Sequence, residues 1–234
     1  MDAGWYTILS IKSGYYRGYH NAYACGDQAN QNNSLSARLA VGEMRIILRW
    51  PPTNPVTAID LDSHLYIPII PIDSSRNDVC DGAAGRTDKC HLSYLTSQQN
   101  AVNYTGVSTK DYHNYTDIVS SGDWVTLDRD AKEAPGFEVM TISKVRSGVY
   151  SYSVKNFEDR ARDIDESQST YFKKSRARVK VFYNDGSKVH RKKFHVPNDN
   201  GTLWTVFTFD KDASAPFTKV KKMEIDKTNG TAVY

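Results

Sequence analysis

Cysteine is scarce in this 234-residue chain, which has three in all and no C-x-x-C pair, so a cysteine-based zinc site has little to build on. Long apolar runs are also missing. The greasiest stretch, Ile67–Ile72, is short and broken by proline, far from the roughly 18–20 residues a membrane helix needs. Charge of one sign is not in excess: the formal net charge is +3, which is no nucleic-acid footprint by itself. Neither a G-x-S-x-G elbow nor an H-E-x-x-H pair occurs, which removes the two commonest hydrolytic signatures. Internal repeats and low-complexity segments are absent as well. The chain therefore reads as a non-enzyme without a membrane span.

What is present is enough for a core. Hydrophobic residues make up 39% and charged residues 24%, a balance that argues against wholesale disorder. The hydrophobic period is two. Arg45–Trp50, Val139–Ile142, Gly148–Val154, Ala177–Tyr183 and Leu203–Phe209 are rich in β-branched and aromatic residues, and several alternate polar with apolar. Asn184-Asp-Gly186 predicts a hairpin turn between the Ala177 strand and Lys188–Val196. Asn156–Ser167 reads as either a short helix or a solvated loop. Many short strands with frequent turns predict an all-β chain, an antiparallel β-sandwich.

Two signals bear on compartment. Sequons stand at Asn32, Asn103, Asn114, Asn200 and Asn229, each among polar, loop-forming residues. Cys80 and Cys90 bracket a polar, Gly-containing segment that a disulfide would close, leaving Cys25 unpaired or bonded to another chain. Together they predict an extracellular or cell-surface glycoprotein. Met1-Asp-Ala-Gly-Trp-Tyr6 lacks the basic start and apolar stretch of a signal peptide, so the expectation is a piece of a longer chain.

Ile46-Ile-Leu-Arg-Trp50, a proline-rich bend and Asp60-Leu-Asp-Ser-His-Leu65 resemble the opening of the YfaP-like family of uncharacterised β proteins. Further pieces follow in order: Cys90-His-Leu-Ser-Tyr94, Leu127-Asp-Arg-Asp130, Gly136–Ile142 with Phe137 in place of the usual proline, Gly148–Asn156 and Leu203–Phe207. The resemblance covers about residues 41–210 and implies a compact β-sandwich, with no established activity. Before it, Asp2–Ile8 and Ile11–Tyr16 are similar to the last strands of a carboxypeptidase-regulatory-like (prealbumin-type, Ig-like) domain whose first strands would be missing. An incomplete sheet exposes an unpaired edge. Its completing strand would be Lys219–Asp226 or a segment of another copy. The expected organisation is thus 1–40, a partial β segment; 41–213, the sandwich; and 214–234, a C-terminal strand or tail.

Four acids are the candidate chemistry. Asp60 and Asp62 share one face of a strand, about 6–7 Å apart along it. Asp128 and Asp130 repeat the spacing, and convergence of the two segments would call for a hard cation, calcium before zinc. Proteins of the tellurite-resistance TerD type carry a similar Asp-Leu-Asp strand at calcium sites, an analogy only. The competing reading has these acids capping loops or pairing with Arg129 and Lys132. His64 shares their face and reads as a buried, hydrogen-bonded histidine, with His91 as a neighbour. Tyr15, Tyr16, Tyr19 and Tyr23 interleave with Arg17 and His20, as packing or as a stacking platform for sugars.

Basic residues gather at Lys173–Lys180 and Arg191–Lys193, where Arg176, Arg178 and Lys180 would make a positive ridge on a strand face. That ridge is either an ordinary polar face or a contact for acidic glycans or an acidic protein surface. The sequence thus predicts a non-enzymatic extracellular module for adhesion, surface matrix or filament assembly, with a glycan or another extracellular protein as partner and copies joined by a donated strand. The alternative is a calcium-dependent glycan-binding or glycan-active domain.

Overall fold

A computed structural model describes residues 2–15, 18–26, 37–51, 60–68, 89–93, 101–103, 124–132, 136–157 and 170–225. The chain divides into two units, Met1–Ala40 and Val41–Tyr234. In the first, β1 (Gly4–Ser10) and β2 (Gly18–Ala24) pair antiparallel, from Gly4 opposite Ala24 to Ser10 opposite Gly18. Ile8, Leu9 and Ile11 are exposed, and the ammonium of Lys12 lies 4.4 Å from the centre of the Tyr15 ring. Tyr16, Arg17 and the side chains of Tyr19, His20 and Tyr23 lie outside the described residues.

The second unit is almost wholly β. Its strands are β3 (Met44–Trp50), β4 (Leu61–Pro68), β5 (Lys89–Leu92), β6 (Ala101–Asn103), β7 (Trp124–Arg129), β8 (Gly136–Ile142), β9 (Tyr150–Asn156), β10 (Arg178–Asn184), β11 (Val189–His195), β12 (Leu203–Phe209) and β13 (Phe217–Glu224). They form a six-stranded sheet in the order β11-β10-β3-β8-β7-β6 and a five-stranded sheet in the order β13-β12-β9-β4-β5. All pairings among the described residues are antiparallel, and the inner faces of the two sheets share one apolar core, so the fold is an antiparallel β-sandwich.

Alternation explains the layering. In β3, Met44, Ile46, Leu48 and Trp50 are buried, while the residues between them are half-buried or exposed. In β10, Val179, Val181 and Tyr183 point inward, and Arg178 and Lys180 are exposed. From β12 come Trp204, Val206, Phe207 and Phe209, with a register shift between Thr205 and Phe207 that lets Val206 and Phe207 both reach the core. A four-residue helix, α1 (Tyr171–Lys174), buries Phe172 edge-on to Trp204, with ring centres 6.4 Å apart. The segment 158–169, where a helix was one expectation, lies outside the described residues.

β4 departs from alternation: every residue from Leu61 to Pro68 is buried. Leu61, Leu65 and Ile67 join the main core, whereas Tyr66 groups separately with Leu203. Both faces of this strand are therefore buried, the one carrying Leu61, Leu65 and Ile67 and the one carrying Asp62, His64 and Tyr66.

The predicted hairpin is β10–β11, closed from Asn184 opposite Val189. Gly186 takes φ 93°, the left-handed conformation its turn position needs. The Asn184 carboxamide oxygen accepts the Gly186 N–H at 3.0 Å, and Asp185 accepts the N–H groups of Ser187 and Lys188. Lys219–Glu224, expected to complete the N-terminal sheet, instead lies in β13, paired with β12. The β12 partner supplies the hydrogen bonds that this segment's alternation called for.

Candidate functional site

Three carboxyl groups from separate segments meet at one end of β4. Asp62 on β4, Asp130 just after β7 and Glu138 on β8 each place an oxygen within 4.8 Å of the others. Asp62 and Glu138 are buried and Asp130 is half-buried. The described pairing of β5 runs only along Leu65–Pro68 of β4. Outside that register, the Ser63 N–H donates to Glu138 Oε2 at 2.7 Å, so a side chain from the opposite sheet serves as the acceptor. Ser63 Oγ and the Tyr152 hydroxyl lie 2.7 Å apart beside it.

Glu138 is the costly member. It is 1% exposed, and its Oε1 has no hydrogen-bond donor among the described residues. Burial pushes its carboxyl well above the usual range; the Asp62 charge and the adjoining Asp130 carboxyl add to this, against the Ser63 contact. Carboxylates this close share a proton or share a cation. The donor set is all oxygen, which suits calcium and gives nothing to a soft metal.

The four acids of the sequence reading are placed differently. Asp62 and Asp130 belong to the cluster, while Asp60 and Asp128 stand outside it. Asp128 sits at a register shift of β7 between Leu127 and Arg129, and Asp130 lies past the strand end. The bulge breaks the two-residue spacing that would have kept both acids together. The Asp128 carboxyl instead accepts the hydroxyls of Thr126 and Thr141. Although Asp128 is exposed as a residue, burial of its carboxyl raises its pKa, opposed by those hydroxyls and by Arg45. The main-chain oxygen of Asp60, whose residue is buried, accepts the Phe157 N–H at 3.0 Å. Glu138 was the acid missed, although it shares a period-two face with Met140 and Ile142.

The face of β4 that carries Asp62 continues as a buried polar row. Asp62 lies opposite Lys155, His64 opposite Ser153 and Tyr66 opposite His91. Lys155 is 3% exposed and Ser153 1%, with Ser153 Oγ 3.4 Å from Thr205 Oγ1. Tyr66 stacks on His91, ring centres 4.5 Å apart, and the His91 and His64 rings are nearly parallel with centres 5.1 Å apart.

Of the remaining expected sites, Arg178 and Lys180 are exposed on β10, but Arg176 lies before the strand at φ 54°. A ridge through all three is thus cut to two by the turn after α1. Asn200 is exposed in the turn before β12. Asn32, Asn114, Asn229, Cys80 and the side chains of Asn103 and Cys90 lie outside the described residues; Cys25 is exposed. No described helix is long and apolar enough to cross a membrane.

No family model matches the chain, and no curated protein does. A solved structure described as an unknown function protein, SAV2460, is similar with a TM-score of 0.42 and 15% identity, over 78% of this chain and 92% of that one.

Proposed function

We propose that the chain is a non-catalytic extracellular binding module of the YfaP-like kind, stiffened by a calcium ion held between Asp62, Asp130 and Glu138. The observation that carries this reading is the meeting of three carboxyl groups around a buried Glu138 oxygen without a donor among the described residues. A cation there removes the repulsion that burial amplifies and joins β4 of one sheet to β8 of the other. Supporting the compartment, Asn200 of an Asn-Gly-Thr sequon is exposed in a turn, where a glycan is accommodated without disturbing a strand. Supporting a holding role, the Ser63 hydroxyl beside the acids contacts both Tyr152 and Glu138 and so belongs to the polar packing that fixes the cluster. Adhesion or assembly at a surface is the corresponding task.

The test is the melting temperature in chelator against rising calcium, with magnesium as control. A native-state ligand at about 100 times its Kd adds about 2.7 kcal/mol. For a chain of this size that is a rise of about 5–10 °C. Glu138→Gln should remove the rise while melting in chelator no lower than the parent, because a neutral amide replaces a strained carboxyl. An unchanged wild-type melting temperature at millimolar calcium overturns the metal.

A further inference from the structure

The outer face of the six-stranded sheet is divided by charge. Toward one end Arg45 pairs with Glu43 at 2.8 Å, and Asp128 contributes a second nearby negative charge. Toward the other end the cations face one another. Arg178 lies directly opposite Arg49 on β3 and His195 on β11, and Lys180 lies directly opposite Lys193. Arg49, Arg178, Lys180, Lys193 and His195 are all exposed, and none forms an ion pair with a carboxylate of the described residues. Like charges directly opposite on a sheet oppose folding. The strain registers on the groups themselves. Lys180 is lowered by burial and then by Arg49, Lys193 and Arg178. His195 is lowered by burial and then by Lys193, Arg178 and Lys219 of β13.

The geometry points to this face, Arg49–Arg178–His195 beside Lys180–Lys193, as the docking surface for an extended acidic polysaccharide. Neighbouring cations stand about 5 Å apart across the strands and about 7 Å along them. They form a grid that meets a polymer with repeated sulfates or carboxylates. The two arginines supply planar forks that grip such groups in a bidentate manner, and opposing charges on the polymer cancel the cross-strand repulsion. Single-stranded nucleic acid would need open aromatic platforms for its bases, whereas Phe137 and Phe182 on this face are half-buried. This deepens the reading of the chain as a binding module by naming its partner class. It is independent of the acidic cluster, because the two sites use different faces and opposite charge.

The experiment is titration of the full chain, in chelator, with dextran sulfate and with neutral dextran of the same length. Matched-length duplex DNA and phosphatidylserine vesicles are the competing polyanions. Binding to dextran sulfate alone among the sugars is expected, weakening as salt rises. In Arg49→Ser/Arg178→Ser, Kd should rise about tenfold or more while the melting temperature holds or increases. The charge-matched pair Lys144→Ser/Lys188→Ser should bind as the parent does. The proposal is overturned by an absence of binding at low salt, by equal weakening in both double variants, or by tighter binding to DNA or vesicles than to the sulfated chain. Because chelator is present throughout, a missing calcium response and a missing polyanion response are read separately.

Discussion

His64 Nδ1 and His91 Nε2 lie 2.9 Å apart on the polar side of β4, each buried. One nitrogen donates and the other accepts, so a neutral pair with complementary tautomers makes the contact. Burial holds His64 well below the usual histidine range, with His91 and Lys155 adding, and it lowers His91 to about 4.

This pair predicts acid lability. The unfolded chain takes up protons near pH 6.5, but folded His91 refuses them until about pH 4, and His64 is held well below its usual range as well. Stability should be full above about pH 6.5 and fall as pH drops below it, with the His91 share of the slope fading near pH 4. Melting curves across that window check it. His91→Gln keeps a partner for His64 and should make the decline shallower; a decline as steep as the parent's would place the titrating groups elsewhere.

Gly136 marks a point where backbone and ring nearly touch. A Cβ there would lie 2.0 Å from Cζ2 of Trp50, a residue 2% exposed. Gly136→Ala should therefore cost about 3 kcal/mol or more, read from the urea midpoint at constant slope. A loss below about 1 kcal/mol would mean that the indole shifts freely.

The Ser63–Tyr152 hydroxyl pair should behave as a unit. Tyr152→Phe leaves a buried serine oxygen without this partner and should cost about 1–2 kcal/mol. Ser63→Ala in the same background should cost little more, giving a coupling of about 1 kcal/mol in the cycle. Additive losses would show that the two hydroxyls are satisfied separately.

Much of the architecture was legible in the residues. The Leu203–Phe209 run is β12 to the residue, because it is rich in aromatic and β-branched residues and the turn before it carries Asn200 and Gly201. Asn184-Asp-Gly186 gave the hairpin through the chemistry of positive φ. The acidic cluster was only half legible. Spacing pointed to Asp62 and Asp130, but pairing by twos assumes a regular strand, and the β7 bulge broke that assumption for Asp128. Glu138 was marked by its place between Gly136 and Met140 on an inward face, where an acid is out of character. The basic face needed register: Arg49 and Arg178 are far apart in sequence, and only the pairing of β3 with β10 sets them opposite.

Because both sides of β4 are enclosed, its alignment with β9 has a single workable solution. A slip of one residue would drive Asp62 and His64 among the aliphatic side chains and turn Leu61 and Leu65 toward Lys155 and Ser153. Asp62 is thereby positioned during folding, so the cation proposed for the cluster would meet that carboxyl already in place.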